Sequence, residues 1–425
     1  MRSTARRGLA ESLDDVRRAG LLTALPRLLV HRATLSGVIA SSARRWRDHT
    51  AIVDHRGALT YRELDELVTA ASRQIARGDR VLVTSRSGRE TLVAAAAAIR
   101  AGADAVMLGP DGSDIAKPHR GRGRLILLTS GTTGEPTAPR RAPLNPLTVS
   151  SLLAAIGLRE GERVLVLPPV HHGHGLSLTT ACLMLGAPAV LGGGLELDEQ
   201  VALARDAGVI SGVPTQLWRL AGHAAASSLS PRRIVSGSGR LSPILAARLH
   251  ELYGPVLVDF FGTTAVGTVT IATAADLAEA PGTVGRPAAG VRVSIRDGLV
   301  HVNGRRTGDR GYLDDAGRLF LTGRSDDLIV SGGENLSPTR VEDYLAAHPG
   351  VADVHVRAVP DEEYGHRLVA RVVLRPGFDE PTVLAHVSRD LGRHAVPRLE
   401  RVEKIERTAT GKVKLVAPPR KPPRE

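Results

Sequence analysis

Between residues 164 and 259 the chain repeats one pattern, a short apolar run followed by a longer amphipathic stretch and then another apolar run. The apolar runs at 164–167, 189–191, 208–213, 234–235 and 256–259 predict strands. The stretches at 176–185, 197–207 and 243–253 predict helices between them. Strands regularly separated by helices specify a mainly parallel sheet covered on both faces. Such a sheet binds ligands at the carboxyl ends of its strands. The fold class is therefore α/β, and 425 residues are enough for two or three domains.

The rest of the chain extends this reading. Residues 51–54 and 59–60 suggest a small hairpin. A helix over 61–75 follows, with Thr60 as N-cap and Glu63 in the capping-box position. A strand is expected at 80–84, a helix at 89–100 and a short buried strand at 125–128. From 341 onward the pattern becomes an α+β unit: helices at 341–347 and 381–391, strands at 351–359 and 368–374. Residues 1–33 place Arg6, Arg7, Arg17 and Arg18 among apolar positions such as Leu9, Leu13, Leu21 and Leu28. That spacing fits one or two amphipathic helices, which either lie on a membrane surface or pack against the main domain. The tail APPRKPPRE reads as solvated.

Composition narrows the function classes. Hydrophobic content of 42% and charged content of 24% are those of a globular protein in water. No run of eighteen apolar residues occurs and the start carries no apolar leader segment, so neither a membrane span nor a signal peptide is expected. Cys182 is the only cysteine, which excludes an intrachain disulfide and fits the cytoplasm. The net charge of +12 is carried almost wholly by arginine. These arginines are scattered, aromatic residues make up only 3%, and no nucleic-acid motif is present, so the charge reads as affinity for small anionic substrates.

Several polar segments fall at predicted strand ends. After the strand at 125–128 come Thr129, Ser130, Gly131, Thr132, Thr133 and Gly134, then Pro136. Glycines let the backbone turn with its N–H groups inward, and four hydroxyls add donors; the segment is either a polar turn or a cradle for phosphate oxygens. It is not a Walker A loop, since no Gly-Lys-Ser/Thr follows. His171, His172 and His174 lie in PPVHHGHGL at the end of the 164–167 strand. By type His172 and His174 suit a metal, yet no third ligand or orienting carboxylate stands nearby. Ser238 and Gly239 sit in SGSGR, where small residues let a flat ring approach the backbone. Asp309, after Gly308, is a carboxylate suited to a diol such as ribose. The DDAG sequence at 314–317 predicts a hairpin turn.

The order of these residues resembles the adenylate-forming superfamily of acyl-CoA synthetases, luciferases and peptide-synthetase adenylation domains. TSGTTGEPT resembles its phosphate loop, usually T-S-G-[ST]-T-G-x-P-K-G, with Thr137 and Ala138 where Lys and Gly are usual. VHHGHGL is similar to its P-L-F-H-x-H-G-L element, which implies His172 at the mouth of the acid pocket. The segment 212–215 resembles an acyl-pocket lining, and SGSGR the S-G-G-A-P segment that flanks adenine. FFGTTA at 260–265 resembles Y-G-x-T-E, which implies that Phe261, Gly262 and Thr263 border the nucleotide and that Thr264 touches the AMP phosphate. Ala265 replaces the Glu that helps hold Mg²⁺, and a methyl group cannot bind a metal.

The longest resemblance is TGDRGYLDDAGRLFLTGRSDDLIVSGGENLSPTRVE at 307–342. It implies that Asp309 and Arg324 hold ribose and that Asp326 is a hinge. It also implies that Gly332, Gly333 and Glu334 form a loop serving the thiol. The segment at 405–412 resembles P-R-T-x-x-G-K, which implies Lys412 as a mobile catalytic lysine. The resemblance covers roughly 34–414. It implies an amphipathic extension at 1–33, a large domain over 34–325 built of parallel-rich sheets covered by helices, and a small mobile α+β domain over 326–425. The β-rich stretch usual before T-G-D is expected to be largely missing between 295 and 307. The implied activity is ATP- and Mg²⁺-dependent activation of a fatty or other non-amino acid, then thioester formation with CoA. An acyl carrier protein as acceptor and a degenerate, non-catalytic binder remain alternatives.

Overall fold

The computed structural model describes residues 34–85, 87–108, 121–127, 129–130, 136–137, 145–263, 267–325, 329–331, 334–346, 348–361, 364–406 and 413. The amphipathic segment 1–33 lies outside them. The described chain opens with α1 (Leu35–Arg45), whose N-cap Thr34 accepts from the Gly37 N–H. An antiparallel hairpin follows, β1 (Thr50–Asp54) and β2 (Gly57–Thr60). Thr60 then starts α2 (Tyr61–Ser72) through a capping box: its Oγ1 accepts from Glu63 N at 3.3 Å, and Glu63 Oε2 accepts from Thr60 N at 2.8 Å. Two orphan donors of the first turn are satisfied reciprocally. The helix ends at Ser72, three residues before the expected limit.

Next come β3 (Arg80–Val83), α3 (Gly88–Ala101), β4 (Asp104–Met107) and β5 (Leu125–Leu127), whose strands form a parallel sheet in the order β3-β4-β5. Its return turn is held by one fully buried carboxylate. Asp104 accepts from Arg122 N at 2.7 Å, from Arg124 N at 2.9 Å and from the Arg124 guanidinium at 2.8 Å. β5 leads directly into β6 (Thr129–Ser130), paired antiparallel with β7 (Pro136–Thr137).

The expected alternation then unfolds as α4 (Pro146–Ile156), β8 (Val164–Val166), α5 (Gly173–Leu185), β9 (Ala189–Leu191), α6 (Leu197–Ala204) and β10 (Val209–Gly212). It continues with α7 (Pro214–Ala221), β11 (Arg233–Gly237), α8 (Pro243–Tyr253), β12 (Leu257–Thr263), β13 (Gly267–Ala272), α9 (Ala274–Glu279) and β14 (Arg286–Pro287). These strands, with β1 and β2, make a nine-stranded sheet in the order β14-β13-β12-β11-β10-β8-β9-β1-β2. The six from β12 to β1 are parallel; at the margins β13 pairs antiparallel with both β12 and β14, and β2 pairs antiparallel with β1. Alternation along the strands buries both faces. Val164, Val166, Val209 and Val235 pack in one core with Leu176, Cys182 and Leu183 of α5. Leu165, Ile210, Ile234 and Leu257 pack in another with Leu217, Leu220, Leu245 and Leu249 of α7 and α8.

The chain next forms β15 (Val293–Arg296), β16 (Leu299–Val302), β17 (Arg305–Leu313) and β18 (Leu319–Arg324), a sheet in that order. This corrects the expectation that 295–307 lacks β-structure. Two turns with positive φ make it possible, Asp297–Gly298 at 52° and 72° and Asn303–Gly304 at 51° and 81°. Asp-Gly and Asn-Gly are the favoured pairs for two-residue hairpins, so the signal stood in the sequence. The DDAG turn closes as expected, with Asp314 N donating to Arg318 O.

The C-terminal part contains the hairpin β19 (Ile329–Ser331) and β20 (Glu334–Leu336), then α10 (Pro338–Ala346), β21 (Val351–Asp361), β22 (Gly365–Leu374), α11 (Glu380–Leu391) and β23 (Arg398–Arg401). Its sheet runs β21-β22-β23, and Val354, Val356, Leu368, Ala370 and Val372 pack against Val341, Leu345, Val383 and Val387 of the two helices. By contacts the chain divides into two units. One comprises 1–295, 301–307 and 313–320; the other comprises 296–300, 308–312 and everything from 321. The molecule is mixed α/β, and no helix among the described residues is long and apolar enough to cross a membrane.

Candidate active site

Four neighbouring parallel strands of the large sheet, β12, β11, β10 and β8, end side by side. Each hands the chain to one of the polar segments singled out above. β8 runs into Pro168–His174, β10 into Gly212–Pro214, β11 into Ser236–Gly239, and β12 ends in Phe261–Thr263. Adjacent strands lie about 5 Å apart, so segments separated by up to 90 residues of sequence share one edge.

His172 is the N-cap of α5; its backbone N–H donates to Pro169 O at 3.0 Å and its carbonyl accepts from Leu176 N at 2.9 Å. The rings of His171 and His172 lie 4.2 Å apart. Pro168–His171 also border a small pocket closed by Gly88, Thr91, Leu191 and Gly193. α5 begins three residues earlier than expected because Gly175 allows it. A methyl group at 175 would run into the carbonyl oxygens of Pro168 and Pro169, so the helix start packs directly on the strand's exit. His174 points into the protein, with its Nε2 2.9 Å from Ser211 Oγ at the end of β10. Burial lowers its pKa to about 4, against a smaller opposing pull from the Gly237 carbonyl, so the ring is neutral at physiological pH.

β11 and β12 pair Ser236 with Asp259 in register. Asp259 is only 2% exposed, and burial raises its pKa to about 6. The Ser236 hydroxyl and the Phe260 N–H pull the other way and are outweighed. Beyond β11, Ser238 takes φ of 62°, a left-handed conformation uncommon for a residue with a Cβ, while Ser238, Gly239 and Arg240 are all exposed. The turn therefore presents backbone and small side chains to solvent at the strand end.

Two sequence-predicted segments are hairpins. Thr129 pairs with Thr137 and Ser130 with Pro136 in β6–β7. Gly262 pairs with Thr268 and Thr263 with Gly267, with a bulge after Phe261 in β12–β13. Gly131, Thr132, Thr133, Gly134, Thr264 and Ala265 themselves lie outside the described residues, as do Asp326, Gly332, Gly333 and Lys412. Glu334 opens β20, paired with Ser331.

In the other unit, Asp309 sits on β17 and Arg324 ends β18. The Asp309 carboxylate is 8% exposed, with Arg324 Nη1 3.6 Å away. Ser325 N donates to Gly308 O at 2.8 Å, which ties the two strand segments together. A carboxylate beside a guanidinium supplies both an acceptor and donors, the set a vicinal diol needs.

Residues that sequence reasoning left without a role also converge here: Ser211, Asp259 and Gln216. Gln216 accepts from Val213 N and donates to Leu167 O, both at 3.0 Å, joining the start of α7 to the end of β8. No local pattern announces these contacts; only the strand order β11-β10-β8 could have found them. Among the described residues no group of three or more His, Cys, Asp or Glu side chains could hold a metal ion.

The family model for AMP-binding enzyme matches residues 39–119 and 113–313, and that for the AMP-binding enzyme C-terminal domain matches 340–412. The 2-succinylbenzoate–CoA ligase of Listeria monocytogenes serotype 4b is 29% identical over 322 residues, covering 69% of this chain and 68% of its own length. A methyl-dioxo-octahydroindenyl-propanoyl:CoA ligase of Mycobacterium tuberculosis is 33% identical over 326 residues, with 68% and 64% covered. The solved o-succinylbenzoate CoA synthetase of Bacillus subtilis, in complex with its acyl-adenylate intermediate, superposes with a TM-score of 0.72 at 21% identity. That superposition covers 88% of this chain and 96% of the other. Both family models and the shared architecture place this chain in the AMP-binding, adenylate-forming enzyme family.

Proposed function

We propose that the protein activates a carboxylic acid without an α-amino group and passes the acyl group to the thiol of CoA. The acid's carboxylate oxygen attacks the α-phosphorus of ATP; the bond to the bridging oxygen breaks and pyrophosphate leaves. The thiol sulfur then attacks the acyl carbon of the adenylate, the carbon–oxygen bond breaks, AMP departs and the thiol proton is released. Splitting the reaction converts a poor electrophile into a reactive one before the nucleophile arrives.

The observation that carries this reading is the meeting of the four polar segments at adjacent strand ends, in a chain matched by both family models. In this reading Thr129–Gly134 wraps the triphosphate, Ser238, Gly239, Phe261, Gly262 and Thr263 border the nucleotide, and Thr264 meets the α-phosphate. Asp309 and Arg324 bind ribose. Lys412 follows the negative charge that grows on the transferring oxygens. Asp326 is the hinge between domains, and Gly332–Glu334 serve the thiol step. The segment 168–176 around His172 holds no Asp or Glu to pair with an α-ammonium group, which supports a non-amino acid. Two of the similar ligases are named for ring-bearing acids, so ring-bearing acids join fatty acids on the panel to be tested.

The test is acid-dependent AMP release from ATP and Mg²⁺, with and without CoA, over a panel holding hexanoate, dodecanoate, benzoate and 2-succinylbenzoate. CoA-dependent AMP with thioester product supports the reading. Adenylate without thioester transfers the second step to a carrier protein. Thr137 and Ala265 favour a second reading, a binder of nucleotide or acyl-adenylate without turnover, and ATP binding with no AMP from any acid selects it.

A further inference from the structure

His174 is a partly buried imidazole at the strand ends, and the proposed reaction leaves it without a role. It lies two residues beyond the N-cap His172, in the first turn of α5, and its Nε2 reaches Ser211 Oγ at 2.9 Å. Ser211 is fully buried at the carboxyl end of β10, one residue before the Gly212–Thr215 segment. The other ring edge lies against β11: a Cβ at Gly237 would sit 3.6 Å from His174 Cε1. His174 Nδ1 is buried, and the Gly237 carbonyl is the backbone group that acts on the ring. A phenyl or aliphatic side chain would fill this space with no polar atom to satisfy, so packing alone does not explain an imidazole here.

The bond to Ser211 joins the helix start carrying His172 to the β10 end, and the ring edge lies against the β11 end that begins the SGSGR turn. We infer that His174 is a positioning residue for the acid substrate: through Ser211 it fixes the first turn of α5, and His172 with it, against the ends of β10 and β11. The inference rests on the function proposed above and names which side of that site depends on the His174–Ser211 bond.

The experiment compares His174→Phe, His174→Gln and Ser211→Ala with the wild-type chain, using the panel acid that gives the fastest AMP release. Phe keeps the ring volume and loses the bond; Gln restores a group at the reach of Nε2. The expected result for His174→Phe and for Ser211→Ala is an acid KM raised about tenfold, with the ATP KM within twofold of wild type. The double variant is no worse than either single one, and His174→Gln recovers most of the loss. A merely structural role would instead lower the folded fraction and kcat, leaving the acid KM in place; that outcome, or a wild-type acid KM in both single variants, overturns the inference. If His174→Phe fails to fold, Ser211→Ala decides alone by the same criterion. A wild-type chain silent toward every acid overturns the proposed function and this inference together, and is told apart because the variants are then not at issue.

Discussion

Replacing Asp259 by Asn isolates an energetic consequence of how the sheet meets the site. The carboxyl is buried at the end of β12 and its pKa is raised from 3.8 to about 6. The unfolded chain releases the proton near 3.8, whereas the folded one holds it until about 6. The group's proton-linked stability is thus fully present below 3.8 and is lost as pH rises through about 6. The shift of roughly two units corresponds to about 3 kcal/mol against the folded state once the carboxylate is ionised. Asn has the same shape, still accepts from Phe260 N–H through its oxygen, and never ionises. The variant is therefore expected to be more stable than wild type by about 3 kcal/mol at pH 7.5 and by about half that at pH 5. Urea denaturation of both proteins at pH 5, 6, 7 and 7.5, followed by tryptophan fluorescence and circular dichroism, measures the gap. A gap that stays constant across this range, or widens toward acid, refutes the reasoning.

Three further outcomes follow from the same geometry. Asp104→Ala leaves the N–H groups of Arg122 and Arg124 without their buried acceptor and should destabilise the large unit by about 3 kcal/mol, read as a shift in the urea midpoint. Asp309→Asn should raise the ATP KM about 10- to 100-fold while leaving the acid KM near wild type, since a charge-assisted hydrogen bond to a diol is worth about 1.5–3 kcal/mol; steady-state AMP release with ATP varied checks it. Lys412→Ala should lower the rate of acid-dependent pyrophosphate release about 100- to 1,000-fold with ATP binding retained, as expected when a group aimed at transition-state charge is lost, and single-turnover kinetics separates the two effects.

The sequence disclosed features set by neighbours in the chain. Thr60 and Glu63 sit three residues apart and cap α2 because capping is local. The strands from β8 to β12 are legible because burial on both faces demands continuous apolar runs, and those runs alternate with amphipathic helices. What stayed hidden depends on distant partners. His174 and Ser211 are 37 residues apart and meet only because β8 and β10 are neighbours. The pairing of Thr129 with Thr137 was invisible because two-residue strands have no periodicity to detect. The hairpins at Asp297–Gly298 and Asn303–Gly304 were missed for a different reason. Their turn pairs are plain, but the flanking strands carry Arg296, Arg305 and Arg306, whose charge masks the apolar alternation.

The two departures from the family pattern, Thr137 and Ala265, bear on chemistry without bearing on the fold. Thr137 belongs to β7, where backbone pairing with Thr129 is what the hairpin requires and a β-branched residue suits a strand. Ala265 falls in the sequence between Thr263 and Gly267, which pair in β12–β13. Relative to the pattern, Thr137 removes one positive charge and Ala265 one negative charge, so the formal charge offered to a triphosphate is unchanged by the pair. Long-range attraction for ATP is set by that sum and is retained. Rate depends instead on charges fixed at particular atoms in the transition state, and there the two losses do not cancel, because a lysine and a metal-holding carboxylate act at different oxygens. On the proposed reading, the departures therefore bear on turnover rather than on binding. ATP affinity alone does not distinguish a ligase from a nucleotide binder, whereas acid-dependent AMP release does.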